Sequence, residues 1–116
     1  DPLWSRGLGD VYKRQFEGWS IDPQRRQLRN PEGTRVALTT TEFDLLIALC
    51  RNAGKVLSRE ELLTMTHAGL AGPIERSIDV HIRRLRQKIE TDPANPTLLT
   101  TVRLGGYMFT ANVDRA

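Results

Sequence analysis

Four arginines within one short stretch are the residues of this chain best suited to chemistry with a charged partner. The stretch, 73–90, reads PIERSIDVHIRRLRQKIE and carries Arg76, Arg83, Arg84 and Arg86. A guanidinium group is planar and always charged, and it binds phosphate oxygens or the edge of a guanine through two parallel hydrogen bonds. Taken alone, the same arginines fit a solvated basic face of a helix equally well. The elements around them must decide between the two interpretations.

The spacing of apolar residues in this stretch predicts an amphipathic helix. At about 100° per residue, one narrow stripe suited to burial contains Ile74, Ile78, Ile82, Leu85 and Ile89. The opposite side contains Arg76, Val80, Arg83, Arg84 and Gln87, with Ser77, Asp79 and Arg86 at its margins. Pro73 suits the first turn, where its missing N–H costs no hydrogen bond. We therefore predict a helix over 73–90 that buries one side and exposes the arginines.

Composition limits the classes of protein to consider. The chain has 116 residues and a formal net charge of +3, which fits one domain and permits an anionic partner. No apolar run is long enough for a membrane span, and the N-terminus lacks the apolar core of a signal peptide. The single cysteine, Cys50, excludes an internal disulfide, and with two widely spaced histidines it makes no zinc site. Since no nucleophile–base pair, paired carboxylates or phosphate-binding glycine loop is evident, we expect neither catalysis nor a cofactor.

The first part of the chain predicts a leader followed by short strands. Residues 1–15, DPLWSRGLGDVYKRQ, show no sustained period, and we interpret them as a non-native leader or a linker remnant outside the domain. From Phe16 the pattern favours strands, with a strong turn signal in NPEG at 30–33 and a further strand at 35–38. The domain is therefore expected to span 16–113 and to begin with a small antiparallel meander.

Two capping boxes mark the starts of further helices. Thr39 with Glu42, and Ser58 with Glu61, have the three-residue spacing in which a hydroxyl and a carboxylate each satisfy an exposed backbone donor. Apolar residues at helical spacing follow each box. Arg59 lies in the first turn of the second helix, where a phosphate would meet both its guanidinium and free backbone N–H groups. A plain surface arginine is the alternative.

This order of elements predicts a helix-turn-helix followed by a hairpin. The helix that begins near Ser58 is joined by the short loop 67–72 to the helix 73–90, and the last helix of such a pair can enter a major groove. Residues 98–110 predict two strands around a glycine bend, which form a wing in this position. Arg103 lies at the tip of that hairpin, and arginine is the side chain usually inserted into a narrow, negatively charged minor groove.

Four segments carry a resemblance that covers 16–110. They are LTTTEFDLLIAL at 38–49, LSREELL at 57–63, ERSIDVHIRRLRQKIE at 75–90 and TVRLGGYMF at 101–109. In this order and spacing they resemble the OmpR/PhoB-type winged-helix DNA-binding (effector) domain of bacterial two-component response regulators. The resemblance implies an α+β fold, namely a winged helix-turn-helix with an N-terminal antiparallel four-stranded sheet, three helices and a C-terminal β-hairpin wing.

The resemblance also implies roles for residues of the matching motifs. It assigns sequence-specific binding of double-stranded DNA to the domain, with the helix 73–90 in the major groove and the wing 98–110 at the minor groove. Arg84 is the candidate for a base contact, and Arg103 corresponds to the minor-groove residue. The residues expected to face DNA from the recognition helix are Arg76, Ser77, Asp79, Val80 and Arg84. Those expected chiefly to meet phosphates are Arg59, Arg76, His81, Arg83, Arg86 and Thr101.

Two features depart from the family pattern. The wing of the family reads Arg-Gly-x-Gly-Tyr, whereas this chain has Leu104 after Arg103, which changes the expected geometry of the tip. These residues also contain no receiver domain with its phosphoacceptor aspartate. Asp79 belongs to the recognition helix, where its carboxylate is expected to orient an arginine or to accept a hydrogen bond from a cytosine amino group.

The expected partners follow from the same resemblance. They are double-stranded DNA, with two domains on direct repeats when a receiver domain supports dimers, and RNA polymerase through the loop 67–72. The protein would act in the bacterial cytoplasm, and this chain would make no membrane contact. Two alternatives stay open. One is the effector domain of a one-component or membrane-tethered regulator; the other is a winged-helix protein-interaction module, which needs an exposed apolar patch where this chain offers Val80 and Leu104.

Overall fold

The computed structural model describes residues 13–66, 78–103 and 105–115. In chain order its elements are β1 (Arg14–Phe16), β2 (Trp19–Asp22), β3 (Gln27–Arg29), β4 (Arg35–Val36), α1 (Thr40–Arg51), β5 (Val56–Leu57), α2 (Arg59–Met65), α3 (Ile78–Ile89), β6 (Leu99–Val102), β7 (Gly106–Phe109) and β8 (Asp114–Arg115). They fall into two compact units: the first contains the residues up to Ala37 and those from Asn112 onward, and the second contains Leu38–Ala111. The predicted α+β class is confirmed.

A five-stranded antiparallel sheet forms the first unit, in the order β4-β3-β2-β1-β8. The four predicted N-terminal strands are present as a continuous meander. Strand β8 extends their sheet by pairing with β1, which the sequence pattern did not indicate. The register places Ile21 opposite Leu28, and both side chains are buried. Alternation along these strands therefore produces one buried face, as expected for period-two patterning.

This sheet begins and ends slightly outside the expected domain limits of 16–113. Strand β1 starts at Arg14, which pairs with Ile21 of β2, so the last two residues of the expected leader belong to a strand. Strand β8 starts at Asp114, one residue beyond the expected end. Short strands without an apolar period are recognised only through their pairing partners, and the pairing of β1 with β8 joins the two ends of the domain.

The second unit starts with two helices whose capping boxes are as predicted. At the start of α1, the Thr39 hydroxyl accepts from the Glu42 N–H at 3.1 Å, and the Glu42 carboxylate accepts from the Thr39 N–H at 3.1 Å. Ser58 and Glu61 make the same reciprocal pair at the start of α2, with both distances 3.0 Å. Each box satisfies backbone donors that a helix start leaves free. Both helix starts are therefore determined by residues within four positions of one another.

The three helices of the described residues pack around an apolar core in this unit. Helix α1 contacts α2, α3 and strand β7. Fully buried side chains from these helices and the following strands are Leu45, Leu46, Leu49, Leu62, Ile82, Leu85, Leu99 and Phe109. The described part of α3 covers 78–89 of the helix predicted over 73–90. Its first predicted turn and the loop 67–72 lie outside the described residues.

Three short strands form the second sheet, in the order β5-β7-β6. Strands β6 and β7 are the predicted C-terminal hairpin, with a register that runs from Leu99 opposite Phe109 to Val102 opposite Gly106. Strand β5 was not predicted, because its two residues show no pattern of their own; it pairs with β7 on the other side. At Gly106 φ is +123°, and an added Cβ would lie 2.1 Å from the Leu57 carbonyl oxygen. Only glycine fits where β7 passes β5.

Candidate nucleic-acid interface

Helix α3 has one buried and one exposed side, as the apolar period predicted. Its buried side chains are Ile78, His81, Ile82, Leu85 and Ile89. Asp79, Arg83, Arg84 and Gln87 are exposed, while Val80, Arg86 and Lys88 are half-buried. The two adjacent exposed arginines are thus presented on a helix whose opposite side is anchored in the core. A rigid, anchored cationic surface of this kind can enter a groove of DNA without first being ordered.

His81 does not belong to this exposed surface. It was expected to meet a phosphate, but its residue is only 4% exposed. The position follows from helical geometry, since His81 lies three residues after Ile78 and four before Leu85, on the same side as both. The structure therefore does not support a phosphate contact for His81, and we exclude it from the interface.

Asp79 lies at the meeting point of three elements of the interface. Its Oδ1 accepts a hydrogen bond from Arg59 Nε of α2 at 2.8 Å and another from the Tyr107 hydroxyl of β7. The Arg59 guanidinium carbon also lies 5.4 Å from the centre of the Tyr107 ring, within the range of a cation–π contact. The side chains of Arg59 and Asp79 remain 54% and 51% exposed. We call Arg59, Asp79 and Tyr107 the Asp79 cluster.

The contacts within the Asp79 cluster shift the pKa of each member. The hydrogen bond from Tyr107 is the main reason why the pKa of the Asp79 carboxyl lies below its ordinary value, and the bond from Arg59 adds to it. Burial raises the pKa of the Tyr107 hydroxyl, and the hydrogen bond to Asp79 raises it further. The bond to Asp79 likewise raises the pKa of Arg59. At neutral pH the cluster therefore contains a carboxylate, a protonated phenol and a guanidinium.

Arg86 joins the recognition helix to the wing. Its Nε donates to the Leu99 carbonyl at 2.9 Å, and its Nη2 donates to the Thr101 hydroxyl at 2.8 Å. The guanidinium carbon also lies 5.5 Å from the centre of the Tyr107 ring. Arg86 and Thr101 were each expected to meet a phosphate, and the structure brings the two together. Thr101 is exposed, so its hydroxyl remains accessible to an additional partner.

The tip of the wing exposes the predicted minor-groove residue. Arg103 is exposed in the turn between β6 and β7, and the Gly105 N–H closes this turn on the Val102 carbonyl at 3.0 Å. Leu104, the departure from the family pattern, lies outside the described residues. Arg76 and Ser77, the first two residues expected to face DNA from the recognition helix, also lie outside them.

Two buried carboxylates that the sequence analysis did not single out as site residues hold α3 in place. Glu90, 7% exposed, follows α3 and accepts hydrogen bonds from the consecutive N–H groups of Thr97, Leu98 and Leu99. Glu42, in the α1 capping box, also accepts from Lys88 Nζ of α3. The first contact fixes where the wing begins, and the second ties α3 to α1. No local signal distinguishes Glu90 from a surface glutamate, because its partners lie seven to nine residues away.

The described parts of the chain also bear on metal and membrane binding. No group of three or more His, Cys, Asp or Glu residues there could hold a metal ion. None of the helices there has both the length and the apolar character that crossing a membrane requires. Exposed guanidinium groups are present on α2, on α3 and in the wing, namely those of Arg59, Arg83, Arg84 and Arg103.

The elements of the second unit, three helices followed by a β-hairpin joined to the last helix through Arg86, define a winged helix-turn-helix domain. The chain belongs to the family described as transcriptional regulatory protein, C terminal, whose family model matches residues 33–109. The response regulator DrrB of Thermotoga maritima, an OmpR/PhoB homologue, has a similar structure at a TM-score of 0.73 and 36% identity, over 84% of this chain and 44% of DrrB. The OmpR/PhoB-type resemblance is thereby confirmed.

Further relatives extend the comparison. The DNA-binding domain of RstA from Klebsiella pneumoniae, solved in complex with the RstA box, has a TM-score of 0.71 and 37% identity, over 84% of this chain and 96% of that domain. The regulatory protein VirG of Agrobacterium fabrum is 46% identical over 99 residues, and the transcriptional regulatory protein AruR of Pseudomonas aeruginosa is 45% identical over 103. These cover 85% and 89% of this chain but 39% and 42% of the relatives. The chain thus spans about two fifths of their length.

Proposed function

We propose that this domain binds double-stranded DNA in a sequence-specific manner and serves as the output domain of a two-component response regulator that controls transcription. The observation that carries the proposal is the exposed pair Arg83 and Arg84 on a core-anchored helix, joined through Arg86 to a wing whose tip exposes Arg103. The complex of the RstA domain with the RstA box supports DNA as the partner. The function is binding, without catalysis or a cofactor.

The exposed arginines of α2, α3 and the wing each have a proposed role. Helix α3 lies in the major groove, where Arg84 contacts a base edge and Arg83 contacts a phosphate. Arg59 at the start of α2 and Thr101 of the wing contact the phosphates beside that groove, and Arg103 enters the minor groove. Arg76 adds a phosphate contact before α3, and Val80, with Ser77, lines the surface that faces the bases. Phosphate contacts fix the register, and base contacts select the sequence.

The assembly on DNA is a further part of the proposal. Two domains bind direct repeats, and the receiver domain of a longer protein brings them together as a dimer, since tethering raises the effective concentration of the second domain. The loop 67–72 contacts RNA polymerase at regulated promoters. The relatives, which are regulatory proteins more than twice as long as this chain, support such a multidomain context. The site of action is the bacterial cytoplasm. A one-component or membrane-tethered regulator would use the same DNA chemistry with a different sensor.

Selection from a randomised duplex pool at two salt concentrations tests the proposal. The bound fraction is sequenced for the wild type and for Arg84→Ala, Arg83→Ala and Arg35→Ala, the last being an exposed arginine of β4 in the other unit. We expect a short enriched motif, repeated in direct orientation, and a steep loss of affinity with salt. Arg84→Ala should cost about 1–3 kcal/mol and relax the preference at one position, whereas Arg83→Ala should weaken all sequences alike.

The losses of DNA affinity among these variants distinguish the proposed roles of the arginines. Equal losses on specific and random DNA for Arg84→Ala would exclude its base contact. Salt-sensitive binding without enrichment would leave a non-specific basic module, and a loss for Arg35→Ala as large as for Arg83→Ala would show that general charge, not α3, carries the binding. Absence of binding at low salt would favour the protein-interaction module instead.

A further inference from the structure

The Asp79 carboxylate has two strong protein partners before any DNA is present. A single oxygen, Oδ1, accepts from Arg59 at the start of α2 and from Tyr107 in the middle of the wing hairpin. The Tyr107 ring in turn lies against two guanidinium groups, those of Arg59 at 5.4 Å and Arg86 at 5.5 Å. One tyrosine thus contacts the helix that precedes the recognition helix and both ends of α3.

This arrangement commits one of the two oxygens of the Asp79 carboxylate to contacts within the protein. To accept from a cytosine amino group, a carboxylate must direct an oxygen into the groove. Here Oδ1 is directed at Arg59 and Tyr107, and moving it would break two hydrogen bonds to a charged group, which are stronger than neutral ones. Oδ1 thereby fixes the direction of the Arg59 guanidinium, whose side chain stays about half exposed, and a base contact of Asp79 would have to use Oδ2.

We propose that Tyr107 is a positioning residue: its hydroxyl holds Asp79, and through Asp79 it holds Arg59 in the direction required for a phosphate contact. The proposal rests on the DNA-binding function given above and specifies how that surface is preformed. Tyr107 is itself fixed, because it lies opposite Leu57 in β5 and Thr101 in β6 and is 4% exposed. The core of the wing sheet therefore supports a cation on a different element.

A thermodynamic cycle tests this proposal. The variants are Tyr107→Phe, which removes one hydroxyl without changing charge, Arg59→Ala, and both together, each titrated against the selected duplex and a random duplex. Tyr107→Phe should weaken binding by up to about tenfold on both, because the Arg59 side chain would then have to be ordered when the phosphate binds. In the Arg59→Ala background the same change should alter affinity less than about twofold, because the group it positions is absent. Additive losses would show that the hydroxyl acts independently of Arg59 and would overturn the proposal.

The matched control removes a different hydroxyl from the same hairpin. Thr100 donates from its hydroxyl to the Met108 carbonyl at 3.2 Å, and Thr100→Val keeps the branched side chain. If loosening the hairpin were sufficient to weaken DNA binding, Thr100→Val would match Tyr107→Phe, and the positioning role would be refuted. We expect Thr100→Val to bind like the wild type. Selection with Asp79→Asn adds a second criterion: the enriched motif should be unchanged, and a relaxed preference at one base pair would instead assign Asp79 to base reading.

A measurement without DNA separates this proposal from the proposed function. The pKa of the Asp79 carboxyl, followed by carbon NMR, should rise toward its ordinary value of 3.8 in Tyr107→Phe, because the tyrosine hydroxyl is the main cause of its depression. An unchanged pKa would refute the contact in solution even if DNA binding is confirmed. A raised pKa in a domain that fails to bind any duplex would confirm the contact and refute the function.

Discussion

Replacing Glu90 by glutamine should loosen the attachment of the wing to the recognition helix. The carboxylate is nearly buried and accepts from Thr97 N at 2.9 Å, from Leu98 N at 3.0 Å and from Leu99 N at 2.8 Å. A glutamine retains one acceptor oxygen, and its NH2 group would face backbone donors. At least one N–H of this buried segment therefore loses its acceptor.

The expected loss of stability follows from the number of N–H groups that lose their acceptor. A buried donor left without a partner costs about 1–3 kcal/mol, so Glu90→Gln should lower the free energy of unfolding by about 2 kcal/mol. Glu90→Ala deprives all three N–H groups and should cost about 4 kcal/mol, a large part of the roughly 5–15 kcal/mol that stabilises a domain. With a urea m-value of about 2 kcal/mol/M, the glutamine variant should unfold at a urea concentration about 1 M lower.

Urea unfolding followed by circular dichroism, together with amide hydrogen exchange, is the assay. Exchange should accelerate first at residues 97–99, since these amides lose their acceptor. The control is Glu32→Gln, which removes the same charge from an exposed glutamate in the first unit. A Glu90→Gln variant within about 0.5 kcal/mol of the wild type, or one that is destabilised while the amides of 97–99 stay protected, would refute the reasoning.

Two further predictions concern the wing and the Asp79 cluster. Gly106→Ala should destabilise the protein by more than about 2 kcal/mol in urea unfolding, because its Cβ would meet the Leu57 carbonyl. Gly33 also has a positive φ but has open space around it, so Gly33→Ala should cost only about 1 kcal/mol. Equal losses for the two variants would contradict the clash. The pKa of the Asp79 carboxyl is depressed in the folded state. The carboxylate should therefore stabilise the fold fully above about pH 4 and lose this contribution as pH falls through the folded pKa. The free energy of unfolding, measured from pH 2 to 5, should show this acid dependence, and Asp79→Asn should reduce it. The pKa of the Tyr107 hydroxyl is raised in the folded state. The protonated hydroxyl should therefore stabilise the fold below about pH 10, and this contribution should be lost as pH rises through the folded pKa. Tyr107→Phe should remove this alkaline dependence of the free energy of unfolding.

The features predicted correctly from the sequence depend on neighbours within a few positions. The capping boxes of α1 and α2 and the apolar stripe of α3 are local, so residue type and spacing determine them. His81 was misplaced although the signal was present, because it lies on the same side of the helix as Ile78 and Leu85. Its expected phosphate contact came from the family resemblance, which did not take account of its position in the apolar period.

The features that were missed depend on partners remote in the sequence. Tyr107 meets Asp79 across 28 positions, and Lys88 meets Glu42 across 46. No residue near Tyr107 in the sequence indicates that its hydroxyl donates to a carboxylate of α3. That Asp79 orients an arginine was one of the two roles expected for it. Strand β8 was missed for the same reason, since its pairing with β1 joins residues about a hundred positions apart.

The pairing of β8 with β1 determines where a fragment of this chain can end without exposing the edge of β1. Among the described residues, β4 and β8 are the two outer strands of the first sheet, and β1 is an inner strand because β8 covers it. A chain cut after residue 113 would leave the outward backbone groups of β1 unpaired along an open edge, which is the usual starting point for strand-to-strand association between molecules. With β8 in place the outer strand is only two residues long, and so short an edge offers few free backbone groups for such association.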